Sequence, residues 1–404
     1  MSQIIFLFLC AYAGASYAAT PQFILPKTSL GPEDVAVIVN DNDPLSQQIA
    51  KYYQKKRDIP SKNIIHVRFK PGADVITQNE FIRIKAEVDK KTPKSVQAFA
   101  LTWTNPYRVD CMSITSAFAF GYNEAYCSHK CSPSKPSPYF NSPSTAPYTH
   151  LKIRPTMVLA GSNFESVKAL IDRGVAADGT HPAGTGYLLS TTDKARNVRA
   201  VEYARLIEWS KNLLDMKLTE GNFIKDKDDV LFYFTGLATI ADLDTLKFRP
   251  GAIADHLTSF GGQLTDSGQM SSMRWLEAGA TGSYGTVAEP CNYLAKFPDP
   301  NLVVYWYLTG SSLIEAYWKS VQWPGEGIFI GEPLAKPYGG FSVQDDNGEI
   351  TLRTQALPPG TYHLLGANSV MGPYVPEPSP IYIHLGMNEL HFSHLDKAVY
   401  LLVR

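Results

Sequence analysis

Few residues in this 404-residue chain are of types that do covalent chemistry. There are five cysteines and nine histidines. One cysteine, Cys10, falls in an apolar N-terminal stretch, which leaves Cys111, Cys127, Cys131 and Cys291. A thiolate is a nucleophile when a neighbouring base or cation lowers its pKa. An even set of cysteines in an oxidising compartment instead favours disulfides. Four cysteines allow three connectivities, and the pairing expected is Cys127 with Cys131 and Cys111 with Cys291. The run "YCSHKCSPS" sets His129 between two thiols. One histidine in a CxxxC spacing supplies too few ligands for a closed zinc site, so neither a metal nor another cofactor is expected.

A second group is polar and cationic. Asn105 and Arg108 follow one expected strand, and Asp193, Arg196 and Arg199 follow another. Two arginines beside an aspartate can clamp a carboxylate or sulfate through paired hydrogen bonds. The same spacing also suits an ion-pair cluster at a helix start. Because Asn105, Arg108, Arg196 and Arg199 all follow expected strands of one parallel sheet, the four are expected to border a common groove. The aromatics of "EAYWKSVQWPGEG" can stack on sugars, although Trp318 on a helix is equally a core residue.

The elements that position these residues alternate. "DVAVIVN", 34–40, is the near-continuous apolar run of a strand covered on both faces. Pro44 opens a helix with Leu45, Ile49, Tyr52 and Tyr53 on one face, and Pro60 follows its end. "NIIHVRF" reads as a strand, "QNEFIRIKAEVDKK" as a helix and "VQAFALTWT" as a strand. This β-α-β-α-β order makes the fold class α/β, with a mostly parallel sheet flanked by helices. Residues 105–154 interrupt it with a Pro/Ser-rich, cysteine-bearing insertion, an ordered segment or lid. Helices are then expected over 163–177, 197–216, 267–279 and 312–321, with strands at 184–190, 230–235 and 280–286. From about Tyr338, alternating segments and Pro-Gly turns predict a small β-sandwich over 338–404. The α/β domain accordingly spans 19–337.

The landmarks, taken in order, resemble the fold shared by gingipains, legumain and caspases. "IAKYYQKKRDIPSKNIIHVRF" looks like the first helix and second strand of that group, and "GIFIGEPLAKPY" like the closing strand of gingipains. Gingipains carry an immunoglobulin-like domain after the peptidase domain, matching the expected sandwich. More closely, "LTSFGGQL", "QMSSMRWLEAGATGSYGTVAEPCN" and "EAYWKSV" resemble a family of secreted bacterial proteins found in species with exosortase sorting systems. That resemblance covers most of the chain before Tyr338.

The peptidase resemblance implies a catalytic histidine after "VLFYFT", where this chain has Leu237, and a cysteine in "LTSFGG", which offers Ser259, Phe260 or Gly261. Leucine moves no protons. The expectation is therefore a caspase-like scaffold without the catalytic dyad, a pseudopeptidase acting by binding or assembly. Its implied ligand is a protein or polysaccharide at the cell surface. The alternative is a hydrolase, a cysteine peptidase using Cys291 and His256, both placed near carboxyl ends of strands where α/β proteins bind ligands. Residues 1–18, with an apolar run from Ile4 and small residues at Ser16 and Ala18, read as a signal peptide, which implies a secreted, periplasmic or cell-surface protein. Lys plus Arg (37) nearly balance Asp plus Glu (38), so no overall field draws nucleic acid. No later stretch reaches the length of a membrane span.

Overall fold

The computed structural model describes residues 20–128, 131–265 and 267–404. The expected signal peptide and His129 lie outside the described residues. Ten strands form one large sheet and are numbered in chain order: β1 Val35–Asn40, β2 Ile64–Val67, β3 Ala98–Leu101, β4 Thr156–Val158, β5 Thr185–Ser190, β6 Asp215–Glu220, β7 Val230–Thr235, β8 Phe248–His256, β9 Gly282–Thr286 and β10 Gly327–Gly331. Their spatial order is β6-β5-β7-β8-β9-β10-β4-β3-β1-β2. Neighbours are parallel throughout, except that β9 runs antiparallel to β10, with Gly282 facing Gly331 and Thr286 facing Gly327.

The sheet is therefore two five-stranded parallel halves wound in the same order. In each, the second strand lies outside the first, and the third, fourth and closing strands follow inward. The antiparallel seam turns the halves against each other. Their carboxyl ends leave opposite edges of the sheet.

Apolar strand residues serve both faces because successive side chains alternate. Val35, Val37, Val39, Ala98 and Ala100 enter one core with Ile49 and Tyr53 of helix Pro44–Arg57. Ala36, Ile38, Phe99 and Leu101 enter the other with Phe81, Ile84 and Val88 of helix Gln78–Lys91. At the seam, a Cβ on Gly327 would stand 2.0 Å from the Tyr284 hydroxyl, and one on Gly282 would stand 2.6 Å from Leu313 Cδ2. Hydrogen-sized side chains let the halves close there.

The expected helix over 197–216 is three elements. A 3-10 helix, Asn197–Glu202, leads into helix Tyr203–Ser210, and the chain then forms β6. β6, "DMKLTE", is a largely exposed edge strand, so burial wrote no apolar period into it. The expected helix at 267–279 contracts to Met273–Ala278, its start replaced by serine-anchored turns.

The insertion is not uniformly irregular. Its helix Ile114–Phe120 is core, with Ile114, Ala117 and Phe118 buried against Phe81, Phe99 and Trp103. Disulfides join Cys111 to Cys127 (Cα–Cα 5.7 Å) and Cys131 to Cys291 (5.5 Å). This corrects the expected pairing of Cys127 with Cys131 and Cys111 with Cys291. Tertiary packing decides it: Phe120 stacks on Tyr126 at 4.2 Å, which seats Cys127 in the core that Cys111 also touches and leaves Cys131 facing the loop after β9.

The C-terminal region packs two small sheets around one core. Strands Val399–Val403, Gly360–Ala367 and Val375–Ile383 form part of one sheet. Phe341–Asp346, Glu349–Thr354 and Asn388–Phe392 form the other. Residues Ile350, Leu352, Tyr362, Leu364, Tyr400 and Leu402 meet between them. The first sheet is completed from the far end of the chain: Gln22–Ile24 pairs in parallel with Val399–Leu401. Residues 22–24, expected within the α/β domain, thus belong to this sheet. Among the described residues no helix is long and apolar enough to cross a membrane.

Phe23 is buried and stacks on Phe392 and Tyr400, both at 5.7 Å. Phe23→Ala should destabilise the sandwich by about 3 kcal/mol, since the cavity is lined from both sheets. Urea unfolding followed by tyrosine fluorescence would show a lowered midpoint; an unchanged midpoint would detach this strand from the sandwich's stability.

Candidate functional site

In an open α/β sheet, ligands are bound beyond the carboxyl ends of the strands. In the second half those ends are Ser190, Thr235, His256 and Thr286 of β5, β7, β8 and β9. The 3-10 helix after β5 carries Arg199 beneath them. Arg199 is 2% exposed and its partner Asp255, on β8, is 1% exposed. Nη1 lies 2.5 Å from Asp255 Oδ1, while the guanidinium also donates to the carbonyls of Thr235 (2.9 Å) and Pro298 (3.3 Å). Burial opposes the charge on both partners. The Asp255 carboxylate more than offsets this at Arg199 and holds the guanidinium protonated. Three further buried polar atoms nearby, Arg199 Nε, Tyr203 Oη and Thr235 Oγ1, have no hydrogen-bond partner among the described residues.

A cleft of about 290 Å³ opens beside Arg199, walled by Phe140 of the insertion, Glu202, Leu294, Phe297, Asp299 and Gln322. Its carboxylates differ in freedom. Asp299 caps helix Pro300–Leu308 by accepting from the backbone N–H groups of Asn301 and Leu302. Glu202 accepts from the Asn301 amide at 3.3 Å. Arg199's charge is spent on Asp255. The mouth is therefore polar, aromatic-lined and without an unpaired cation among these lining residues.

The alternative catalytic pair is placed elsewhere. Cys291 is bonded to Cys131. His256 is 1% exposed: its Nδ1 accepts from Trp275 Nε1 at 2.9 Å, and its Nε2–H donates to the Met270 carbonyl at 3.0 Å. Desolvation is the main cause that pushes its pKa down to about 4, with the Arg199 and Arg196 charges adding to it. The imidazole is a neutral strut in the core. Leu237 packs against the apolar cluster of Tyr233, Ile240 and Trp275. Beside it, a Cβ on Gly236 would stand 1.9 Å from the Arg196 carbonyl, so the loops after β5 and β7 close on each other through glycine.

The other cationic candidates separate. Asp193 and Arg196 form an ion pair at 2.8 Å where the 3-10 helix starts, and Arg196 Nε donates to Thr258 Oγ1. Asn105 donates to Asp74 (2.6 Å) and Thr265 (2.9 Å). Arg108 sits in a small sheet between Val75–Ile76 and Met112–Ser113, its Nε buried without a partner. The expectation that Asn105, Arg108, Arg196 and Arg199 border one groove is corrected. β3 and β5 lie in opposite halves, so their carboxyl ends point away from each other along the sheet; Thr258 touches one group and Thr265 the other. Residues that the sequence reading passed over are Asp255, Glu202, Phe140, Phe297 and Asp299. Asp255 had a readable signal, a carboxylate inside the apolar run "AIAD", which burial obliges to find a cation. Among the described residues no group of three His, Cys, Asp or Glu could hold a metal ion.

Comparison with protein-family models and with curated proteins gives no match. A solved structure described as "Structure of Protease" is similar to this chain with a TM-score of 0.43 and 9% identity, over 93% of this chain and 97% of that one.

Two measurements check the site's electrostatics. Arg199→Met or Asp255→Leu alone strands a buried charge and should cost about 3–5 kcal/mol, whereas the double variant should recover most of that loss. Additive losses in a urea double-mutant cycle would contradict the pairing. His256 has a folded pKa below its unfolded value, so the unfolded chain takes up the proton first as pH falls. Stability should be insensitive to this group above about pH 6.5 and decline toward pH 4 by up to about 3 kcal/mol. A His256→Gln variant should lose that part of the slope; an identical slope would place its origin elsewhere.

Proposed function

We propose that this chain is an exported binding protein on a caspase-like scaffold, with the cleft beside Arg199 as its ligand site and no cysteine-peptidase centre. The observation that carries the reading is the fate of the two residues such a centre would need. Cys291 is tied to Cys131, and His256 is a buried neutral strut between Trp275 and Met270. A thiolate attack needs a free thiol and a base within hydrogen-bond reach. Cys111 and Cys127 are likewise joined to each other. The positions that the resemblance assigns to the dyad hold Leu237 and the stretch Ser259 to Gly261, and Leu237 is packed as an apolar residue. The resemblance to secreted proteins of exosortase-containing species supplies the setting, a cell-surface protein or polysaccharide as ligand.

The cleft's make-up supports binding by shape and hydrogen bonds. Phe140 and Phe297 give it apolar walls, and Glu202 and Gln322 give its mouth polar ends. Sugar rings and polar peptide segments both fit that description.

The test uses the mature protein purified without reductant. No thiol should react with a chromogenic disulfide, a thiol-directed peptidase probe should leave it unlabelled, and a broad peptide library should stay uncut. Cleavage abolished by Cys291→Ala in a folded variant would replace the binding reading with the hydrolase one. Affinity for envelope polysaccharide on a glycan array should fall by about tenfold or more in a Phe140→Ala, Gln322→Ala variant. Equal retention of the variant would remove the cleft from the reading.

A further inference from the structure

The two disulfides occupy different physical settings. Cys127 is 3% exposed within the core formed under β3 and β10, and Cys111 packs on the same cluster. Cys131 is exposed and Cys291 half-buried. Both of the latter hold left-handed backbone, φ 59° and 54°, a region where a side chain crowds the neighbouring carbonyl. Neither Cys111 nor Cys127 does. Such backbone persists only while its surroundings impose it.

What the Cys131–Cys291 bond imposes can be traced. It links residues 160 apart and fastens the insertion to the loop after β9. Around it the noncovalent ties lie at the surface: the Tyr293 hydroxyl donates to the Cys131 carbonyl (2.7 Å), the Ser128 hydroxyl donates to the Ser132 carbonyl (3.0 Å), Tyr293 packs edge-on against Trp323, and the Cys291 N–H donates to Glu289. The next residue, Leu294, is a wall of the cleft. The segment before Cys131 also covers a buried ion pair, because the Ser128 N–H donates to Glu326, whose other partner Lys296 is 3.5 Å away. Firm anchors stand on either side: Ser134 and Pro290 are buried, and the Lys135 N–H donates to the Ala125 carbonyl at 2.7 Å. Tyr139 is fully buried and the Asn141 N–H donates to the Lys319 carbonyl, while Trp323 donates to Ala295 and Phe297 is buried.

We propose that Cys131–Cys291 is a reducible clasp: exchange with a dithiol reductant loosens residues 131–133 and 291–294 and opens the Leu294 side of the cleft, while Cys111–Cys127 stays closed. The chemistry is thiol–disulfide exchange. A reductant thiolate attacks one sulfur, forming a mixed disulfide and expelling the other cysteine as thiolate. The reductant's second thiol then displaces the first cysteine. Two electrons and the two thiol protons pass to Cys131 and Cys291, and the reductant leaves as its own disulfide. Access selects the bond, since the attacking thiolate must approach along the sulfur–sulfur axis: Cys127 is buried and the half-buried Cys111 has its sulfur against the Tyr122 hydroxyl at 3.9 Å, whereas Cys131 is exposed. The consequence for ligand entry rests on the cleft being the binding site; the clasp itself does not.

The experiment exposes the mature protein to graded dithiothreitol under native conditions, quenches with N-ethylmaleimide and maps the labelled peptides by mass spectrometry, with hydrogen exchange read on the same samples. Cys131 and Cys291 should be labelled at about tenfold lower reductant than Cys111 and Cys127, and the amides of Cys131, Ser132 and residues 291–294 should exchange about tenfold faster while β7 and β8 stay protected. A Cys131→Ser, Cys291→Ser variant should reproduce the reduced exchange pattern without reductant. Labelling of all four cysteines together, or selective labelling with unchanged exchange, would overturn the clasp. Neither readout involves a ligand, so a failed glycan screen leaves it standing.

Discussion

The antiparallel pairing of β9 with β10 is the constraint on which the rest of this structure depends. Five parallel strands on each side would otherwise be two separate open sheets, each with its own exposed closing edge. Pairing those edges satisfies both rows of backbone donors and acceptors and fuses the cores on each face. It depends on the glycines at Gly282 and Gly327, where Leu313 and the Tyr284 hydroxyl pack in the space side chains would need. The same pairing sends the carboxyl ends of the halves to opposite edges, so residues that look equivalent in sequence serve different sites.

Within the second half, the usual ligand crevice between β5 and β7 is closed by the protein itself. Gly236 lies against the Arg196 carbonyl, and the Thr191 hydroxyl donates to the Gly236 carbonyl. Arg199 is pulled underneath by Asp255, and the available space moves sideways to the cleft between the 3-10 helix, the insertion and the chain leading to helix Pro300–Leu308. A buried ion pair of this kind gains little net stability over an apolar pair, but breaking it is expensive, so it fixes where its two elements sit.

The chain's two ends are tied into one sandwich, while the insertion is tied to the sheet by covalent bonds at two depths. Cys111–Cys127 lies against a core that would persist around it, whereas Cys131–Cys291 joins an exposed cysteine of the insertion to the loop after β9.

Much of the α/β alternation was legible in the sequence, because a strand covered on both faces, such as "DVAVIVN" or "VLFYFT", must be apolar at every position. The small C-terminal strands were legible from alternation and turns. β6 was not, since an exposed edge strand carries no burial pattern, and neither was the strand at Gln22–Ile24, whose partner lies at the other end of the chain. The sequence by itself also determined that position 237 carries no base and that four cysteines follow Cys10. Which cysteine meets which, whether His256 faces solvent or Trp275, and whether two arginine groups share a groove were decided only by tertiary structure. Each depends on the relative direction and packing of strands far apart in the chain, and that geometry leaves no local period for a reader to find.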